Sequence, residues 1–116
     1  MEIEEKLQYI KTVDPDGSER LRRLLDRKSF LLEGNVYGER FTERQFSLVF
    51  DPLVKLAYEK AQILERLAEK DATVTSLASG LSMEKPRVFD HLKDLLKKNL
   101  VEIVTFEDRN PVFRKR

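Results

Sequence analysis

Residues 73–101 read TVTSLASGLSMEKPRVFDHLKDLLKKNLV, and the order of elements in that stretch decides the fold. Thr73-Val74-Thr75 is short and β-branched, which suits a brief strand, and Thr73 or Thr75 can cap the helix that follows. Leu77, Ala78 and Leu81 face inward from that helix, with Ala78 small where two helices must cross closely. Ser82 stands at the turn, where the chain needs a positive φ and a residue with a Cβ costs some strain. Val88, Leu92, Leu95 and Leu96 then recur at the helical period. Pro86 fits only a first turn, so the second helix starts near Glu84 or Lys85. Asn99 is a left-handed stop, and Leu100-Val101 opens a strand.

A short strand, a short helix, a tight turn, a longer helix and an immediate strand are the parts of a helix-turn-helix with a wing. The rest of the wing follows. Glu102–Phe106 reads as a strand, Glu107 to Pro111 as a turn with Arg109 at its tip, and Val112-Phe113-Arg114 as the returning strand. Arg114-Lys115-Arg116 forms a basic tail.

On these residues the chain resembles the winged helix-turn-helix of ArsR-type prokaryotic repressors over roughly residues 52–116. Their pattern is Thr-Val-x-x-Leu-Ala, then a Leu closing the helix, then Thr-Val-Ser-x-His-Leu-Lys-x-Leu, then Gly-Leu-Val. Matching it without a gap are Thr73, Val74, Leu77, Ala78, Leu81, Val88, His91, Leu92, Lys93, Leu95, Leu100 and Val101. The resemblance implies a DNA-binding transcriptional regulator whose Glu84–Asn99 helix enters the major groove. There are departures. Ser82 replaces a common glycine and Glu84 a usual serine cap. Phe89 and Asp90 stand where small or basic polar residues usually meet DNA. The family's cysteine-based metal sensing has no counterpart, because the chain has no cysteine.

Working outward, Asp51-Pro52 reads as a helix start, Asp as cap and Pro in the first turn, with the helix running to about Lys70. Its apolar stripe is Leu53, Ala57, Ala61, Leu64, Leu67 and Ala68. Residues 33–50 fit two patterns. Phe46, Leu48 and Phe50 alternate as in a strand, while Phe46, Val49, Phe50 and Leu53 fit a helix. Further upstream, residues 2–12 form a helix with Ile3, Leu7 and Ile10 on one face. Asp14-Pro15-Asp16-Gly17 is a turn by composition, and Ser18 caps a second helix over 18–32 with Leu21, Leu24, Leu25 and Lys28 on one side.

The chain has 116 residues, enough for one domain with a real core, and its 41% apolar and 37% charged composition is that of a globular protein. No apolar run approaches a membrane span, and an acidic opening is not that of a signal peptide, so the expected location is cytoplasmic. Without cysteine there is no disulfide, thiolate metal site or thiol sensor. The net charge is +1, but residues 83–116 carry nine Lys and Arg against six Asp and Glu, so the basic excess sits at the helix-turn-helix end. One His, no glycine-rich phosphate loop and no nucleophilic Ser motif leave no catalytic constellation, so no enzyme activity, cofactor or metal is expected.

The candidate DNA-binding residues are Lys85, Arg87, Phe89, Asp90, Lys93, Lys97 and Arg109. Arg and Lys here can bind phosphates or read guanine edges, Phe89 can touch a thymine methyl, and Asp90 can accept from a cytosine amine. The plainer reading is a solvated helix face, which Asp90 and Asp94 favour because carboxylates repel phosphates. His91 reads better as a structural histidine beside the core than as a metal ligand. Arg20, Arg22, Arg23, Arg27 and Lys28 read better as a solvated face than as a phosphate site. Phe30, Tyr37, Phe41, Phe46 and Phe50 read better as core or subunit interface than as an effector pocket.

The expected architecture is α+β and mainly helical. Residues 51–116 form a winged helix-turn-helix, and residues 1–50 an N-terminal helical extension that packs and dimerises. The expected partners are double-stranded DNA and a second copy of the chain, with no membrane association. The alternative is a winged-helix protein–protein module inside a larger assembly, which the near-neutral charge, Phe89 and Asp90 would suit.

Overall fold

The structure is a computed structural model that describes residues 2–33 and 42–116. The chain divides into two compact units, Met1–Tyr58 and Glu59–Arg116. In chain order the elements are α1 (Ile3–Val13), α2 (Pro15–Asp26), α3 (Lys28–Glu33), α4 (Glu43–Glu69), β1 (Ala72–Thr73), α5 (Val74–Leu81), α6 (Lys85–Lys97), β2 (Val101–Glu107) and β3 (Asn110–Lys115). The mainly helical architecture with a small antiparallel sheet bears out the expected α+β winged fold.

In the first unit α1 forms as expected, with Leu7 and Ile10 fully buried and Ile3 exposed. The segment 14–17 is the first turn of α2 rather than a separate turn. Asp14 caps the helix, its Oδ1 accepting from the Gly17 amide at 3.1 Å, and Pro15 occupies the first turn, where its missing N–H costs nothing. A Cβ at Gly17 would clash with the Asp14 carboxylate, so glycine is what lets this cap close. Ser18 therefore has another job than the expected cap. It is buried, and its Oγ donates to the Leu7 carbonyl at 2.8 Å, tying α2 to α1. The expected helix over 18–32 is two helices, broken at Arg27. Of its apolar side, Leu21 is buried while Leu24 and Leu25 are half-buried.

The largest correction concerns α4. The helix starts at Glu43, and Pro52 lies inside it. A capping box starts it. Thr42 Oγ1 accepts from the Gln45 amide at 3.0 Å, and Gln45 Oε1 accepts from the Thr42 amide at 2.9 Å, so two orphan donors are satisfied reciprocally. Of the two patterns open for residues 33–50, the helical one holds over 43–50. Phe46 and Phe50 are buried one turn apart, stacked with ring centroids 5.2 Å apart. The buried stripe also shifts. Val54, Ala61, Ile63, Leu64 and Leu67 are buried, whereas Leu53 and Ala68 are exposed.

The second unit is the winged helix-turn-helix. Its sheet has the order β1-β3-β2, all antiparallel, with Thr73 opposite Val112 and Ile103 opposite Phe113. The core draws on every element: Ile63, Leu64 and Leu67 from α4, Leu77 and Ala78 from α5, Val88, Leu92 and Leu95 from α6, and Val101, Val112 and Phe113 from the sheet. β1 is shorter than expected, because Thr73 caps α5 through the Ser76 amide and so places Val74 and Thr75 in the helix. The wing strands are longer than expected. Only Asp108 and Arg109 form the turn, at φ 48° and 71°, the left-handed pair that a two-residue hairpin requires.

Candidate nucleic-acid interface

The putting together of α5, turn and α6 follows from two left-handed residues. Ser82 sits at φ 55°, ψ 43°, and the Met83 amide reaches back to the Ala78 carbonyl at 3.0 Å. At the far end of α6, Asn99 sits at φ 59°. There the Leu100 amide bonds the Leu95 carbonyl and the Asn99 amide the Leu96 carbonyl, each at 3.0 Å, which is the Schellman pattern. Both ends of the turn-helix unit are thus closed by the residues singled out for it. Arg66 of α4 adds a brace, its Nη2 donating to the Gly80 carbonyl at 2.9 Å.

α6 is held against α4 by two polar clamps. Glu59 Oε1 accepts from Arg87 Nε at 2.8 Å and from His91 Nε2 at 2.9 Å. The His91 side chain is only 5% exposed and that of Glu59 12%, so the carboxylate fixes which imidazole nitrogen carries the proton. Burial pushes the Glu59 carboxyl up. The hydrogen bonds from His91 and Arg87 outweigh it and hold the group below its ordinary value. One turn further on, Asp94 Oδ2 lies 2.7 Å from Lys60 Nζ and 3.0 Å from Lys98 Nζ. The Lys60 ammonium is the main reason that the Asp94 carboxyl is lowered to about 2.

These clamps sort the candidate residues. Arg87 is half-buried and committed to Glu59, so it supports the helix more than it offers a free cation. His91 is structural, as expected, and buried beside Val88, Leu92 and Leu95 on the inner side of α6. Lys93 is exposed but engaged twice: its Nζ is 3.4 Å from Asp90 Oδ1 and 5.1 Å from the Phe89 ring centroid. Phe89 is 45% exposed, a large apolar side chain on the outer face. Lys85 and Lys97 on α6 and Arg109 at the wing tip are exposed and form no ion pair among the described residues. The sequence missed Glu59, Lys60 and Asp94 as the residues that set the pose of α6.

Elsewhere, Phe46 and Phe50 are core, Phe30 is exposed, and Tyr37 and Phe41 lie outside the described residues. A small open cleft is lined by Arg66, Ala72, Ser76, Leu77 and Gly80. Among the described residues no group of His, Asp and Glu could hold a metal ion, and no helix is long and apolar enough to cross a membrane.

An outward-facing helix at a tight turn, backed by a two-stranded wing, defines a winged helix-turn-helix protein. Residues 59–102, from the Glu59 clamp to the start of the wing, match the model of the family described as bacterial regulatory protein, arsR family. Over those residues the chain is similar to ArsR-type regulators, which supports DNA binding and transcription regulation. No curated protein and no solved structure matches the chain.

Proposed function

We propose that this protein is a sequence-specific transcriptional regulator that binds double-stranded DNA as a homodimer. α6 enters the major groove, and Arg109 meets the backbone or minor groove beside it. The match of residues 59–102 to the ArsR-type domain carries the reading. Lys85, Lys97 and Arg109 supply phosphate contacts and hence salt-dependent affinity. Lys93, Phe89 and Asp90 face the base edges, with Phe89 suited to a thymine methyl and Asp90 to a cytosine amine. Arg87 acts at one remove, through Glu59. Residues 1–50 pack and dimerise, which gives two recognition helices for two half-sites. The proposed location is the cytoplasm and the proposed source prokaryotic, as the family description suggests.

Selection from a random duplex pool tests this reading. Enrichment of a two-fold related sequence, bound more weakly as salt rises, is the expected result. A pool that never enriches would overturn it. The exposed Phe89 and the pairing of Lys93 with Asp90 favour a second reading, a protein–protein module whose mixed apolar and charged face binds a partner protein. That reading predicts no enrichment and no salt-dependent binding to any duplex.

A further inference from the structure

Three neighbouring side chains on the outer face of α6 stand in an order that a base pair can match. Val88, His91, Leu92 and Leu95 are buried on the inner side of the helix. Lys93 lies about 200° round the helix from Leu95 and so stands near the middle of the exposed arc. Phe89 lies about 40° to one side of Lys93 and Asp90 about 60° to the other. Helical side chains lean toward the N-terminus, which brings the lysine back between the other two. The contacts agree: Lys93 Nζ is 5.1 Å from the Phe89 ring centroid and 3.4 Å from Asp90 Oδ1. All three residues are exposed, so the face presents an apolar ring, a donor and an acceptor, in that order.

The major-groove edges of base pairs carry such orders too. Taken from the thymine side, a T·A pair shows the thymine methyl, the O4 acceptor and the adenine N6 donor, which complement Phe89, Lys93 and Asp90 in turn. O4 and N6 share a Watson–Crick hydrogen bond and lie about 3 Å apart, close to the 3.4 Å between the lysine and carboxylate atoms that meet them. The other pairs fit less well. G·C shows N7, O6 and the cytosine N4 amine, so Lys93 and Asp90 are satisfied but Phe89 covers a bare acceptor. C·G and A·T each set an amine against the Lys93 ammonium and an oxygen against the Asp90 carboxylate, donor on donor and acceptor on acceptor. Asp90 by itself suits a cytosine amine as well as an adenine one, and Phe89 decides between them. Paired with Lys93, Asp90 also brings no uncompensated negative charge into the groove.

We infer that Phe89, Lys93 and Asp90 together read one T·A base pair in each half-site, with the thymine against Phe89. This rests on the proposed DNA binding and names the base pair that this part of α6 selects. The test uses the full chain and the duplex enriched from a random pool, with affinity measured by fluorescence anisotropy. Each thymine of the enriched site is replaced in turn by uracil, which removes only the C5 methyl. At one thymine per half-site the wild type is expected to lose about fourfold in affinity, the worth of one buried methyl group. Replacing that pair by C·G or A·T should cost roughly tenfold to a hundredfold, because both polar contacts are opposed. Phe89→Ala should bind the thymine and uracil duplexes equally and, in a fresh selection, accept T·A and G·C alike at that position. A merely structural ring would instead weaken every duplex by the same factor and leave the uracil effect in place. Lys93→Met gives a second readout: it removes the donor that faces O4, so the preference for T·A over A·T should shrink about tenfold. Thermal melting checks that each variant folds. An enriched site with no such thymine, or a uracil effect that survives Phe89→Ala, would overturn this base-pair assignment and leave DNA binding standing. A pool that never enriches would overturn both.

Discussion

Glu59 shows how much of a binding element's pose can rest on one carboxylate. A single oxygen accepts from Arg87 and from the buried His91, and both bonds position the first turns of α6. Glu59→Ala leaves the His91 N–H without its partner in a nearly dry site. The expected cost is about 1–3 kcal/mol, read as a lower midpoint in urea unfolding. DNA affinity should fall with it, although Glu59 repels phosphates, and an unchanged midpoint would contradict the clamp. Asp94 gives a pH-dependent counterpart. Its carboxyl is lowered from 3.8 to about 2, so the stability it adds is fully present above 3.8 and is lost as pH falls toward 2. Asp94→Asn should therefore flatten the loss of stability across that window relative to wild type, measured by thermal melts at successive pH values. His91 was legible as structural from its place beside the apolar stripe. Glu59 was not, because its partners lie 28 and 32 residues away and no local spacing reports such a pair.

At the scale of elements, the same dipeptide had opposite outcomes. Asp14-Pro15 caps and starts α2, while Asp51-Pro52 lies in the middle of α4. A proline inside a helix removes the amide that would bond the Leu48 carbonyl, and that cost is met by what lies upstream. The Thr42–Gln45 capping box and the burial of Phe46 and Phe50 extend the helix past it. The box was present in the sequence as Thr42-Glu43-Arg44-Gln45, a signal masked by the stronger Asp-Pro pair. Thr42→Ala should destabilise the protein by about 1 kcal/mol in urea unfolding, with no effect on the helix-turn-helix contacts. The turn between α5 and α6 was fully legible, because a left-handed position leaves few residue choices. Ser82 at φ 55° carries the strain of a Cβ there, so Ser82→Gly should stabilise by about 0.5–1 kcal/mol. A destabilised Ser82→Gly would mean that the turn is held some other way.

At the scale of the molecule, the unit from Glu59 to Arg116 was readable nearly residue by residue. Its sequence is a string of local constraints: a Thr cap, a small crossing residue, a helix-starting proline, a left-handed Asn. The outer face of α6 was readable only as composition. Whether Lys93 is free or paired with Asp90 depends on rotamers that spacing does not fix. The structure leaves Lys85, Lys97 and Arg109 as the exposed cations without an ion pair on α6 and the wing among the described residues, and the account's central claim rests on them. The most direct measurement is the affinity of the purified protein for a selected duplex across a salt series. It should compare wild type with Lys85→Ala/Lys97→Ala/Arg109→Ala. The account predicts a log–log decline for wild type. The variant should bind more weakly and lose about 0.9 from the slope for each phosphate contact removed, with its melting temperature unchanged. Affinity that is independent of salt, or a slope untouched by losing all three cations, would contradict it.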